Sequence, residues 1–296
     1  MDLSVLLPLK PALWGHRNLD TAASHIVEAK NKGSSVILMM GAHVLRSGVQ
    51  RYLIDLMEKG FISCVAMNGA SIVHDYELAR IGKTTESVAE YIKSGKFGLW
   101  RETGEINDIV NSAAKRKMGL GEAVGKSILN SDFPNKAISL FASGYRSRIP
   151  MTVHVGIGYD IVHQHPNCSG AAYGETSYID FLRFTKELDN IENGVVMNFG
   201  SSVMAPEVFL KALSMVRNVA AQEHRSLNHF TTLVCDLYPL PENYQTEASK
   251  EHHHYYFRPW KTMLVRTVAD GGQGLYVRGR HAETIPALWT AIQNHQ

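Results

Sequence analysis

Residues 34–70 read SSVILMMGAHVLRSGVQRYLIDLMEKGFISCVAMNGA. Two apolar runs, each closed by a glycine, flank a segment in which Val49, Leu53, Leu56 and Met57 share one helical face and Gly60 supplies a stop. An apolar run without alternation suits a strand buried on both faces. Strand, helix and strand within about forty residues form a βαβ unit, and the two strands of such a unit are parallel. This stretch constrains the fold more than any other.

The pattern repeats along the chain. KAISLFASGYRSRI reads as a helix feeding the strand PMTVHVGIG. TSYIDFLRFTKELDNIENG is a helix with Phe181, Phe184, Leu188 and Ile191 as its buried stripe, GVVMNFGSS is a strand, and PEVFLKALSMVRNVAAQ is a helix with Pro206 in its first turn. HFTTLVCDLYP, TMLVRTVAD and GLYVRG read as further strands, and TIPALWTAIQ closes the chain as a helix. Near the start, LDTAASHIVEAKNKG reads as a helix capped by Asp20 or Thr21 and ended by Gly33. The polar stretch from Lys83 to Lys126 reads as an inserted helical or loop segment. Alternating strands and helices predict an α/β fold, a doubly wound and mostly parallel sheet with helices on both faces. With no Pro/Ser-rich linker, the reading is a single domain over residues 1–296.

Composition narrows the function. Lys+Arg 30 against Asp+Glu 28 gives a formal net charge of +2, which offers no attraction for nucleic acid or an anionic membrane. No apolar run approaches the roughly 18 residues of a membrane span, and the N-terminal apolar patch lacks the basic flank of a signal peptide. Three dispersed cysteines, Cys64, Cys168 and Cys235, suit a reducing compartment, so a cytoplasmic location is expected.

In an open parallel sheet, ligands bind at the carboxyl ends of the strands. Four strands end alike here, in MMGAH, MNGAS, GIGYD and NFGSS. Glycines bring bare backbone to a ligand, and amides at strand exits suit phosphate, so a nucleotide-shaped ligand is expected. A GxGxxG after the first strand is absent, and GLGEAVGKS fails as a phosphate loop because Leu120 stands where a glycine is required. After MNGASIV come His74, Asp75 and Glu77 at a helix start. Their carboxylates either answer the helix dipole or serve a ligand, with Asp75 orienting His74 or meeting a ribose. HHHYYFRPWK, residues 252–261, holds three adjacent histidines, but neighbours in a strand point to opposite faces, so no metal is expected. Lys261, between Trp260 and TMLV, is either a desolvated nucleophile or a lysine snorkelling from a strand edge; on physics alone the second is the stronger reading.

The stretch LMMGAHVLRSGVQRYLIDLMEKGFISCVAMNGASIVHDYELA resembles the first nucleotide-binding segment of the deoxyhypusine synthase family, especially its archaeal and bacterial members. SGYRSRIPMTVHVGIGYD, NGVVMNFGSSVMAPEVFLKALSMV and the C-terminal WKTMLV, GLYVRG and IPALWTAI are similar to later family segments. The likeness runs over most of residues 30–290. It implies a Rossmann-like fold, bound NAD and a homotetramer with sites between subunits. The family oxidises spermidine with NAD, captures the aminobutyl group on an enzyme lysine and passes it to a lysine of a partner protein. Carried over, Gly41, Ala42, His43, Ser47, Gly48, Asn68, Gly69 and Ala70 face the cofactor, Asp75 reaches its ribose, and Gly200 and Ser201 replace a glycine-rich turn. Lys261 is then the imine-forming lysine, with His74 and Asp160 as its catalytic companions.

The departures lie in the polyamine site. Val155 stands where the family has its first acid, leaving only Asp160, and Ala205 or Pro206 replaces a histidine. A dication needs carboxylates, so the expected substrate is a small amine other than spermidine. Ornithine cyclodeaminases of archaeal type carry a similar Asn-Gly, His-Asp, Glu signature, which keeps open an NAD-linked reaction of an amino acid. A non-catalytic nucleotide-binding protein on the same fold is the third reading.

Overall fold

The structure, a computed structural model, describes residues 1–296. Six strands, β1 (Val36–Met40), β2 (Cys64–Asn68), β3 (Met151–His154), β4 (Val195–Phe199), β5 (Thr231–Asp236) and β6 (Gln273–Arg278), pair in the order β3-β2-β1-β4-β5-β6. Every pair is parallel, in registers such as Leu38 with Val65 and Leu38 with Met197. This is a Rossmann-like α/β fold. The strand order reverses between β1 and β4, which opens a crevice at their carboxyl ends.

Helices α1 (Arg17–Lys32), α2 (His43–Arg46), α3 (Gln50–Glu58) and α4 (Gly69–Ile81) surround the first βαβ unit. The segment between β2 and β3 adds α5 (Val88–Tyr91), α6 (Arg101–Lys115), α7 (Leu120–Leu129) and α8 (Leu140–Ser147). Then come α9 (Gly170–Leu188) before β4, α10 (Met204–Gln222) before β5, and α11 (His281–Asn294) after β6.

Strand side chains alternate between two cores. Val36, Leu38 and Met40 of β1 join one cluster with α1, α3, α4, α8 and α11, while Ile37 and Met39 join a second with α9 and α10. All five β1 residues are buried, which explains the continuous apolar run. On α9, Phe184 and Leu188 are fully buried, with Ile191 just beyond the helix.

Two local expectations need correction. The first helix begins at Arg17, capped by His16, whose Nδ1 accepts from the Asn18 amide; Asp20 lies inside its first turn. TMLVRTVAD is not a strand: Pro259–Val265 forms a π-helical segment and Arg266–Val268 a 3₁₀ turn. β5 already has its neighbour in β6, so the apolar run packs on the sheet face instead, with the Thr232 hydroxyl donating to the Met263 carbonyl at 2.8 Å. Periodicity alone does not separate a short buried strand from a buried helical turn. The polar Lys83–Lys126 stretch is mostly helical, and α6 buries Thr103, Ile106, Asn107 and Val110.

Candidate functional site

A cavity of about 490 Å³ opens at the carboxyl ends of β2 and β3. Its floor is the first turns of α4, through Ala70, Val73, His74 and Glu77. The inserted segment contributes Thr84, Glu86, Phe97, Trp100 and Glu102, and the loop after β3 contributes Tyr159 and Asp160. Four carboxyl groups and one imidazole thus line an otherwise largely apolar space. Trp100 and Tyr159 are exposed at its mouth.

Gly69 shapes this site. A Cβ on Gly69 would sit 2.1 Å from Asp160 Oδ2, so only glycine leaves room for that carboxylate at the start of α4. Burial raises the Asp160 carboxyl to about 6, and the Ala70 amide draws it partly back. Burial also raises Glu77 to about 6, opposed by a hydrogen bond from Thr84 and reinforced by Glu86 and Glu102. His74 falls to about 4 because burial and the nearby Arg46 and His43 disfavour its cation. Glu86 is tied down, accepting from the Trp100 indole and the Gly98 amide, each at 2.6 Å.

His43 and Arg46 belong to α2, which follows β1, so the cavity adjoins the crevice between β1 and β4. There Gly41 and Gly200 meet as bare backbone: a Cβ on Gly41 would lie 2.6 Å from the Gly200 carbonyl oxygen. Gly200 has φ +64, and its own Cβ would lie 2.4 Å from His281 Nε2. His281 Nδ1 is buried with no partner in the protein. Asn198 holds the turn, its Oδ1 accepting from the Ser201 amide at 3.1 Å, and α10 follows directly, with its Ala205 amide donating to the Ser201 hydroxyl at 3.0 Å. Glycine exits and an orphaned imidazole nitrogen fit the close approach of a dinucleotide.

The anticipated residues divide into four groups. Asn68, Gly69, Ala70, His74 and Asp160 gather around the cavity. Gly41, Ala42, His43, Gly200 and Ser201 lie at the crevice. Ser47 and Gly48 face neither. The Ser47 hydroxyl donates to the Val44 carbonyl, and a Cβ on Gly48 would collide with the Val5 carbonyl oxygen at 1.9 Å, because the N-terminal segment crosses there.

Asp75 and Lys261 also lie elsewhere. Asp75 is wholly buried and accepts from the Leu140 amide at 2.9 Å, the Phe141 amide at 3.4 Å and the Ser139 hydroxyl, so it caps α8. Lys261 sits among the residues of the second core, across the sheet from the cavity floor. Its ammonium lies 3.4 Å from the centre of the Tyr255 ring and 3.8 Å from Glu247, and its side chain is 9% exposed. The three neighbouring histidines form turns, with His252 stacked on His253, and no group of three or more His, Cys, Asp or Glu side chains is placed to hold a metal.

Thr84, Glu86, Phe97, Trp100, Glu102 and His281 escaped the sequence reading. The pairing of acids with Phe97 and Trp100 inside the inserted stretch was the available signal. His281 carried none, since its place at the crevice depends on β6 ending beside β5.

No family model and no curated protein matches the sequence. Solved structures share the fold. Unliganded AgrE matches 95% of this chain with TM-score 0.54 at 14% identity, covering 34% of AgrE. A conserved protein assigned as LOR/SDH from Methanococcus maripaludis S2 matches 97% of this chain and 74% of its own, with TM-score 0.53 at 14% identity. ArgZ, an arginine dihydrolase from the ornithine-ammonia cycle in cyanobacteria, matches 93% of this chain with TM-score 0.52 at 14% identity. The chain spans only 32% of the length of ArgZ. No helix is long and apolar enough to cross a membrane. These likenesses establish the Rossmann-like α/β architecture.

Proposed function

We propose that this protein binds NAD in the crevice between β1 and β4 and uses it to oxidise a small amine or amino acid held in the adjoining cavity. The observation that carries the reading is the cavity itself. Glu77, Glu86, Glu102 and Asp160, with Trp100 and Phe97, surround a space large enough for a small amine. Carboxylates and aromatic faces are the groups that recognise an ammonium. The inserted segment thus supplies acids where Val155 leaves one missing. AgrE, solved with ornithine and NAD+, shares the fold with TM-score 0.50 at 13% identity. That likeness makes an amino acid of the ornithine kind the first substrate to try.

In this reading Gly41, Gly200, Ser201 and His281 hold the dinucleotide, and His43 lies between it and the substrate. The nicotinamide supplies a hydride acceptor. Asp160 holds the ammonium, and His74 takes a proton from the substrate nitrogen. Lys261 has no part in this scheme, because the sheet separates it from the cavity. A transfer through a lysine imine, with a protein lysine as acceptor, would need another lysine or a second subunit. A homotetramer would serve that need. Val203, Met215 and Val219 of the α10 region and Tyr178 and Leu182 of α9 are exposed apolar residues suited to such a contact.

Calorimetry with NAD, followed by absorbance of NADH with a panel of diamines and basic amino acids, tests the proposal. The expected result is NAD binding that Gly200→Val abolishes, and NADH formation with at least one member of the panel. Absence of NAD binding by the wild type overturns the proposal. NAD binding without reduction by any amine would leave the non-catalytic reading in its place.

A further inference from the structure

His74, Thr84 and Glu77 form a continuous chain along the cavity floor. The Thr84 hydroxyl lies 2.7 Å from His74 Nδ1 and 2.5 Å from Glu77 Oε2. Thr84 is buried, and its amide donates to the Met1 carbonyl at 2.9 Å, so the hydroxyl is held in place from the backbone side. His74 Nε2 has no hydrogen-bond partner and is not among the sealed polar atoms, and the ring lines the cavity. Nε2 is therefore the end of the chain that a ligand meets.

A threonine hydroxyl has one proton and can donate to only one neighbour at a time. When Glu77 is ionised, that proton must point at the carboxylate. The hydroxyl oxygen then accepts from His74, so the neutral imidazole carries its hydrogen on Nδ1 and leaves Nε2 as a bare base. When Glu77 is protonated, it donates to the hydroxyl, which donates to Nδ1. The imidazole hydrogen then sits on Nε2. We propose that Glu77 acts through the Thr84 hydroxyl to set the tautomer of His74, making Nε2 a proton acceptor when Glu77 is ionised and a proton donor when it is not. A proton taken at Nε2 is balanced by one passed from Nδ1 to Thr84 and one from Thr84 to Glu77. The imidazole stays neutral throughout, and the negative charge on Glu77 is the charge that disappears.

The surroundings favour this arrangement. Burial and the neighbouring Arg46 and His43 of α2 oppose an imidazolium at His74. Burial, with Glu86 and Glu102 from the inserted segment, makes Glu77 the easier group to protonate, although Thr84 partly opposes it. Lys83 and Asp160 also face the cavity, and Arg80 on α4 is paired with Glu105. With Glu77 near 6, the basic form of His74 prevails at neutral pH and the donor form below it. Glu77 and Thr84 are positioning residues here, and their catalytic use rests on the amine reading above.

The test needs no ligand. Full-length protein labelled with 15N-histidine is followed by long-range proton–nitrogen spectra between pH 5 and 8, with His74 identified by the signals lost in His74→Gln. The expected result is an Nδ1–H tautomer at pH 8 that gives way to Nε2–H below about pH 6, with no imidazolium. Glu77→Gln should make the tautomer independent of pH, Thr84→Val should uncouple it, and Thr84→Ser should restore the switch. A wild-type tautomer that does not change with pH, or a switch that survives in Glu77→Gln, overturns the proposal. Because the readout is on the free protein, it stands or falls separately from NAD reduction: a switch seen without amine oxidation would refute the function and keep the relay.

Discussion

Replacing Asp75 by alanine separates its structural role from the ribose contact implied by the family resemblance. The carboxylate is fully buried and accepts from the Leu140 and Phe141 amides and the Ser139 hydroxyl at the start of α8. Removing it leaves those donors without partners, and each buried unpaired group costs about 1–3 kcal/mol. Asp75→Ala should therefore be less stable throughout the neutral and mildly acid range. The pH dependence is sharper. Burial raises the folded-state carboxyl to about 6 from an ordinary 3.8. The native state thus holds a proton that the unfolded state releases between those values, so this group's contribution is greatest in acid and fades as pH rises through about 6. Linkage between pH 7 and pH 5 then amounts to about 1.3 kcal/mol. Alanine has no such term, so the stability gap between wild type and variant should widen by about 1 kcal/mol on going from pH 7 to pH 5. Urea denaturation of both proteins at each pH measures this, and all other titrating groups cancel in the difference. NAD affinity, measured where the variant is folded, should not change. A gap that is constant or narrows in acid refutes the raised carboxyl, equal stability of the two proteins refutes the capping account, and a selective loss of NAD binding restores the ribose contact.

Gly69→Ala should weaken amine binding by about tenfold or more, roughly 1.4 kcal/mol, because its Cβ would displace Asp160, while NAD affinity stays within about twofold; calorimetry with each ligand decides. Lys261→Arg should keep NAD reduction at wild-type rate, since Lys261 lies under Tyr255 across the sheet from the cavity; borohydride trapping of a substrate imine on Lys261 would contradict this. Light scattering in moderate salt should report a particle larger than the 32.9 kDa chain, with a tetramer as the expected species, and a monomer would leave the apolar faces of α9 and α10 without a role.

The sequence alone carried the architecture. The apolar runs of β1 and β2, the stripe on α3 and the Gly33 and Gly60 stops report burial and backbone conformation, which are local properties, and they specified a parallel sheet with helices on both faces. The same information marked the strand exits where Gly41, Gly69 and Gly200 lie. Proximity across the chain was not legible. Asp75 and His74 are adjacent in sequence, yet helix geometry turns one into the core beneath α8 and the other into the cavity. TMLV was apolar enough for a strand, but only the pairing of β5 with β6 decided that it would lie on the sheet face. Thr84 looked like one polar residue in a polar stretch. Its role comes from a loop that returns to α4 and sets one hydroxyl between His74 and Glu77, a juxtaposition that no spacing in the sequence encodes.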